Sequence, residues 1–279
     1  MSLKSDVLDG ADERPNFKTA AVLAHEAQAS RRRLILRVLQ VLFGVAMIGF
    51  WQFASGTLVD PFFISSPADV IKTLWRWVTD GTLATHLWIT LYATFSGFGI
   101  GAVVGFTLGF LFGRWDAIAT IFDPYVTALY CLPKIALAPL FIMWFGIGIE
   151  SKIAMSAVIV FFLVFLNTFG GVRDVSQIYI NAVRIMGANE WQLLRVVILP
   201  SAAAWVLTGL KVSVPYALIG AVVGEFMSSN RGIGFLIAQA SGIFDTAAVF
   251  AGLVVLAVAG ASISAVLKRV ETHVLRWRG

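Results

Sequence analysis

A chain of 279 residues in which 58% are hydrophobic and only 13% charged is not a water-soluble domain, where about a quarter of the residues carry charge. The single cysteine, Cys131, excludes an intrachain disulfide. The net charge of +5 does not point to nucleic acid, because no basic stripe with interleaved aromatics is present. An excess of Lys and Arg is also what the cytoplasmic loops of membrane proteins carry.

Residues 1–30 are polar and mixed in charge and lack the apolar core of a signal peptide. They are expected to form a mobile cytoplasmic tail, with a short amphipathic turn around Phe17 to Ala29. Residues 31–279 then form a membrane domain. A helix crosses a bilayer with about 20 apolar residues, and six runs qualify: Leu34–Ser55, Trp88–Phe112, Ile118–Phe145, Ile153–Gly170, Ser201–Met227 and Thr246–Leu267. No segment alternates like a membrane strand. The expected fold is therefore an all-α membrane protein with six transmembrane helices.

The second run carries Gly97, Gly101, Gly105, Gly109 and Gly113. Glycines four apart trace a slowly winding stripe that lets helix backbones approach closely. The Gly97-x-Gly99-x-Gly101 triplet inside it is no nucleotide loop, since no strand precedes it. Three prolines, Pro124, Pro133 and Pro139, interrupt the third run, and Lys134 follows the middle one. Asn167 lies in the fourth run, and Lys211 and Glu225 lie in the fifth. Ionisable groups at membrane depth are functional candidates by default, so Lys134, Asn167, Lys211 and Glu225 form the candidate pathway set. Interfacial snorkelling and interhelical hydrogen bonding are the competing readings. Trp51, Trp75, Trp77 and Trp88 are expected to form an aromatic belt at the outer boundary. His25, His86 and His273 are scattered, so no metal site and no catalytic cluster is expected.

Six spans place both ends on one side. With residues 1–30 inside, the inner flanks hold Arg31, Arg32, Arg33, Arg37, Arg114, Arg173, Arg184, Arg195, Lys268, Arg269, Arg276 and Arg278, and the outer loops hold Lys72, Arg76, Lys152 and Arg231. Twelve against four puts both termini, and the loop at about 174–200, in the cytoplasm.

That loop is too polar to span. Ile178, Ala182, Ile185 and Trp191 share one side at helical spacing, with Arg184, Asn189, Glu190 and Gln192 mostly elsewhere. Asn181-Ala182-Val183 is followed after three residues by Gly187 and after nine more by Val197-Ile198-Leu199-Pro200. This resembles the EAA loop of binding-protein-dependent ABC-importer permeases, in which Glu-Ala-Ala, Gly and Ile-x-Leu-Pro recur at that spacing. Asn181 replaces the usual Glu and Val183 the second Ala. Gly187 suits a tight bend, and Pro200 suits the first turn of the following span.

The resemblance extends over about residues 58–270. It includes Ser66-Pro67 with Val70 and Leu74, His86 with Thr90-Leu91, Asp123-Pro124, and Leu132-Pro133-Lys134-Ile135-Ala136. Further matches are Trp144-Phe145-Gly146-Ile147-Gly148, Leu166-Asn167-Thr168, Thr208-Gly209-Leu210-Lys211 and Gly232-Ile233-Gly234. These look like permeases for nitrate, sulfonate, taurine and similar solutes.

The resemblance implies a type I importer permease in a bacterial inner membrane. It implies a homodimer with two ABC ATPase subunits, a periplasmic or lipid-anchored solute-binding protein, and surrounding membrane lipid. ATP and Mg would then bind the ATPase, and this chain would carry no cofactor and no catalysis of its own. Its ATPase-coupling residues would be Asn181, Ala182, Val183, Arg184, Gly187, Trp191, Val197, Leu199 and Pro200. The alternative, an ATP-independent secondary transporter or channel, is expected to show inverted repeats, and none is evident between residues 34–145 and 153–267.

Overall fold

The computed structural model describes residues 17–227 and 230–274. The chain divides at residue 60 into two units. The first contains helix α1 (Phe17–Thr57), of which Arg31–Thr57 is long and apolar enough to cross a membrane. The helix starts well upstream of the expected span because neither Pro nor Gly occurs between Pro15 and Gly44 and the stretch is rich in alanine. Residues 17–30 of the expected tail are thus helical, and residues 1–16 lie outside the described residues. Helical geometry is lost near the end, where Gly56 takes φ +89°.

The second unit contains α2 (Pro67–Thr79), α3 (Thr82–Arg114), α4 (Asp116–Cys131), a 3₁₀ turn (Lys134–Leu137) and α5 (Ala138–Phe145). It continues with α6 (Ile149–Arg173), α7 (Gln177–Ile185), α8 (Glu190–Leu193), a π turn (Leu194–Ile198), α9 (Leu199–Met227), α10 (Ile233–Gly242) and α11 (Thr246–Val274). Among the described residues five helices are long and apolar enough to span, and α4 with the turn and α5, bent by 86°, forms a broken span or a re-entrant loop. Five of the six expected runs lie in these helices, and the third is the bent pair.

Only one of its three prolines makes the break. Leu132 (ψ 133°) and Pro133 (ψ 103°) are both extended, because proline excludes its predecessor from the helical region. Pro124 is accommodated inside α4. Pro139 sits in the first turn of α5, where a missing donor costs nothing.

The centre of the unit is the parallel pair α3 and α6. All five glycines of the stripe face α6. A Cβ on Gly105 would lie 2.7 Å from the Phe161 carbonyl oxygen, one on Gly109 2.6 Å from that of Phe165, and one on Gly113 2.9 Å from the Val172 Cβ. The step of four residues is matched on both helices, so α6 follows the winding stripe around α3. Helix α9 packs antiparallel on α6 by the same device, with Gly209 against Asn167, Gly220 against the Ser156 backbone and Gly224 against the Lys152 backbone.

Helix α2 is capped by Ser66, whose hydroxyl accepts from the Asp69 amide at 3.2 Å and donates to its carboxylate at 2.7 Å. These bonds and Lys72 hold the Asp69 carboxyl below the ordinary carboxylate range. Of the four tryptophans expected in the aromatic belt, Trp77 is only 6% exposed. It is a core residue on the inner face of amphipathic α2, whereas Trp75 and Trp88 are exposed.

Gly105→Leu is expected to push α3 off the α6 backbone. Overpacking of this kind costs about 1–3 kcal/mol or more. Thermal unfolding of detergent-purified protein should show a clear drop for this variant and little change for Gly99→Leu, where a Cβ meets nothing within 4 Å.

Candidate coupling site

The α6–α9 connection is a small helical hairpin anchored on one side and bare on the other. Ser176 starts α7 by accepting from the Ile178 amide. The helix ends at Gly187, which takes φ +85°. The Gly187 amide donates to the Arg184 carbonyl at 3.0 Å and the Ala188 amide to that of Val183 at 3.3 Å, which closes the α7 terminus with a left-handed glycine. Space is not the constraint there, since a Cβ would meet nothing within 4 Å.

Asn189 then opens α8 with a full capping box. Its side chain accepts from the Gln192 amide at 2.8 Å, and the Gln192 side chain accepts from the Asn189 amide at 2.9 Å. The helix started there runs on into α9. Residues Glu190–Met227 form one 38-residue helix, with the π turn where Pro200 cannot supply a donor. The Leu199 amide reaches back to the Leu194 carbonyl. The expectation that Pro200 opens the span is therefore corrected. The helix begins ten residues earlier, and the proline is absorbed by a wide turn.

Val197 and Leu193 are buried with Val172, Val175, Ile198 and Ala202, and Ile180 and Val183 pack on them. Two members of the expected coupling set, Val183 and Val197, thus face the bundle and fix the hairpin to it. Asn181, Ala182, Arg184, Gly187, Trp191, Leu199 and Pro200 are exposed. So are Ile178, Tyr179, Ile185 (86%) and Met186 (84%). Tyr179 and Met186 were not singled out from sequence, although both lie on the outward side of α7. Glu190 ties the hairpin to α3, accepting from Arg114 at 2.7 Å and from Arg184 at 3.2 Å.

The four membrane-embedded candidates separate. The Lys134 ammonium donates to the Tyr130 carbonyl, with the Tyr130 and Phe162 rings 4.2 and 5.1 Å away. It covers the end of α4 at the break. Asn167 lies in the α6–α9 contact, its amide donating to the Leu163 carbonyl at 2.8 Å. Lys211 is half-exposed on α9, two residues beyond Gly209. Glu225 is 1% exposed. It sits at the other end of α9, hydrogen-bonded by Thr90 and Gly234. Sequence placed Glu225 near the end of its span but gave no sign of these partners. Among the described residues no group of three or more His, Cys, Asp or Glu could hold a metal.

Residues 97–276 match the family described as the binding-protein-dependent transport system inner membrane component. The chain belongs to this family. A Bacillus subtilis (strain 168) protein named as an aliphatic sulfonates transport permease, SsuC, is 34% identical over 85% of this chain and 87% of its own length. The riboflavin transport system permease protein RibX of Chloroflexus aurantiacus is also 34% identical, over 83% of this chain and 87% of its own. A solved amino acid ABC transporter shares the fold, with a TM-score of 0.58 at 17% identity, over 73% of this chain and 97% of that one.

The chain is thus an ABC-importer permease, a multi-pass inner-membrane transport subunit whose family implies ATPase and solute-binding partners. The secondary-transporter alternative is set aside by the family match.

Replacing Gly187 by Val forces a branched side chain into the left-handed region, at a cost of about 1–2 kcal/mol. Hydrogen exchange at the Gly187 and Ala188 amides of this permease should accelerate severalfold. Gly170→Ala should leave it unchanged, because a Cβ there meets nothing.

Proposed function

We propose that this permease works as one of two identical copies in an ATP-driven importer, with the α7–α8 hairpin as the seat of a separate ATPase. The supporting observation is the hairpin's two-sidedness. Its back is fixed by Val183, Leu193 and Val197, while Ile178, Tyr179, Ile185, Met186 and Trp191 are exposed. An apolar face of that kind fits a groove on a partner. In this reading Asn181, Ala182, Arg184, Gly187, Trp191, Leu199 and Pro200 meet or frame the ATPase surface, and Val183 and Val197 transmit its motion inward. ATP with Mg binds and is hydrolysed on that partner. The charge count supports a cytoplasmic position for both termini and the hairpin, with residues 1–30 as a cytoplasmic tail and the outer end facing the solute-binding protein. Lipid surrounds the remaining apolar surface.

The solute is proposed to be a small organic or inorganic anion of the nitrate, sulfonate or taurine kind, as the name of the Bacillus relative suggests. Lys134, Asn167 and Lys211 are its pathway candidates, with Lys134 on the Tyr130 carbonyl and Asn167 on that of Leu163. RibX, matched at the same identity, favours a second reading, an aromatic solute such as riboflavin.

Ile185→Glu should lower retention of the ATPase subunit roughly thirtyfold, the scale of a 2 kcal/mol hot spot, with thermal stability unchanged. Pull-down from membranes and binding-protein-stimulated ATP hydrolysis in nanodiscs measure it, and undiminished hydrolysis would remove the hairpin from the coupling role. Uptake of labelled taurine against labelled riboflavin by cells expressing the complete importer separates the two solute classes.

A further inference from the structure

At the end of the bundle opposite the hairpin, groups from α3, α6 and α9 close on the loop that leads into α10. The Glu225 carboxylate accepts from the Thr90 hydroxyl at 2.8 Å and from the Gly234 amide at 2.7 Å. The Thr90 oxygen in turn accepts from the Ile233 amide at 2.9 Å. The Gly232 amide donates to the His86 Nδ1 at 3.0 Å, and the Lys152 ammonium donates to the Arg231 carbonyl at 2.8 Å. Thr90, Lys152 and Glu225 are all buried.

The loop is bare backbone where it meets the acid. Gly232 takes φ +123°, and a Cβ there would fall on the Glu225 carboxyl group; one on Gly234 would lie 2.8 Å from the Glu225 Cβ. Three consecutive amides, those of residues 232–234, thus end on acceptors held by α3 and α9. In an interior of low dielectric such bonds are strong when complete and costly when one partner is removed.

The same two helices hold the hairpin. Arg114, at the far end of α3, grips Glu190, and α9 is the continuation of the helix that starts at Glu190. Thr90 and Arg114 are 24 residues apart, about 36 Å along a helix, which is the depth of a bilayer core and part of its headgroups.

We propose that Thr90, Glu225 and the Gly232–Gly234 loop form a latch that makes α10 travel with α3 and α9, so that displacement imposed at the α7–α8 hairpin is delivered to the opposite membrane face. Glu225 is then a positioning residue enclosed by protein, not a group that touches solute. The delivery part of this proposal rests on the reading of the hairpin as the ATPase seat; the latch itself does not.

The test uses the full chain in nanodiscs, with Cys131→Ser and nitroxide labels on Ala84→Cys of α3 and Gln239→Cys of α10. All three positions are exposed. Labelled chain is diluted with unlabelled chain, and pulsed dipolar spectroscopy reads the α3–α10 distance. Without any partner, Thr90→Val, which keeps the side-chain shape but removes the hydroxyl, should broaden a narrow distribution. Thr90→Ser should keep it narrow. An unchanged Thr90→Val distribution overturns the latch.

With the ATPase subunit and solute-binding protein added, the wild-type distance should stay within about 2 Å between nucleotide-free and ATP–vanadate states, no more than a small helix shift at an interface. A change of about one helical turn, roughly 5 Å, overturns the proposal. Solute transported per ATP hydrolysed should fall about tenfold in Thr90→Val, with ATPase retention unchanged, and recover in Thr90→Ser. Equal transport per ATP in Thr90→Val overturns delivery through the latch. If the wild-type chain retains no ATPase, the hairpin reading fails, and the partner-free arm still decides the latch.

Discussion

Inside a bilayer two helices gain nothing by hiding apolar surface from an equally apolar solvent, so closeness of approach has to hold them together. In this permease the closeness is set by the backbone of α3 lying on the backbone of α6. Five glycines make that possible, and α9 reaches α6 through three more. The three helices pack as one block, with a glycine at each of these contacts. The α7–α8 hairpin at one end of that block and the α10 loop at the other take their positions from it.

Much of this was legible from residue order. The apolar runs marked the crossings, the four-residue glycine repeat marked a close helix contact, and the spacing from Asn181 to Pro200 marked the hairpin. The Asn-x-x-Gln pattern at residues 189–192 is also a readable helix start, since a capping box depends on neighbours in the chain. What sequence left open is what depends on distant partners. Nothing near Glu225 in the chain announces that Thr90, 135 positions away, supplies its hydrogen bond. Likewise Trp77 looks like its neighbour Trp75 until α2 chooses a face.

The prolines illustrate the same limit from another side. Pro124, Pro133, Pro139 and Pro200 have one chemistry and four outcomes: accommodation within a helix, a sharp break, a place in a first turn, and a π turn just before the residue. At the break the Lys134 ammonium meets the Tyr130 carbonyl at the end of α4. A lysine expected to face solute is in this respect part of the joint.

The wide turn at Leu194–Ile198 has a consequence for rotational phase. It inserts one residue more than an α-helix would use between Glu190 and the membrane part of α9, and one residue is worth about 100° around the axis. Wound as ordinary α-helix, the same stretch would swing Glu190 away from Arg114 and turn Trp191 to a different quarter of the surface. The proline that disrupts the ladder therefore sets the clocking between the Glu190 end of this helix and the face it shows to its neighbouring helices.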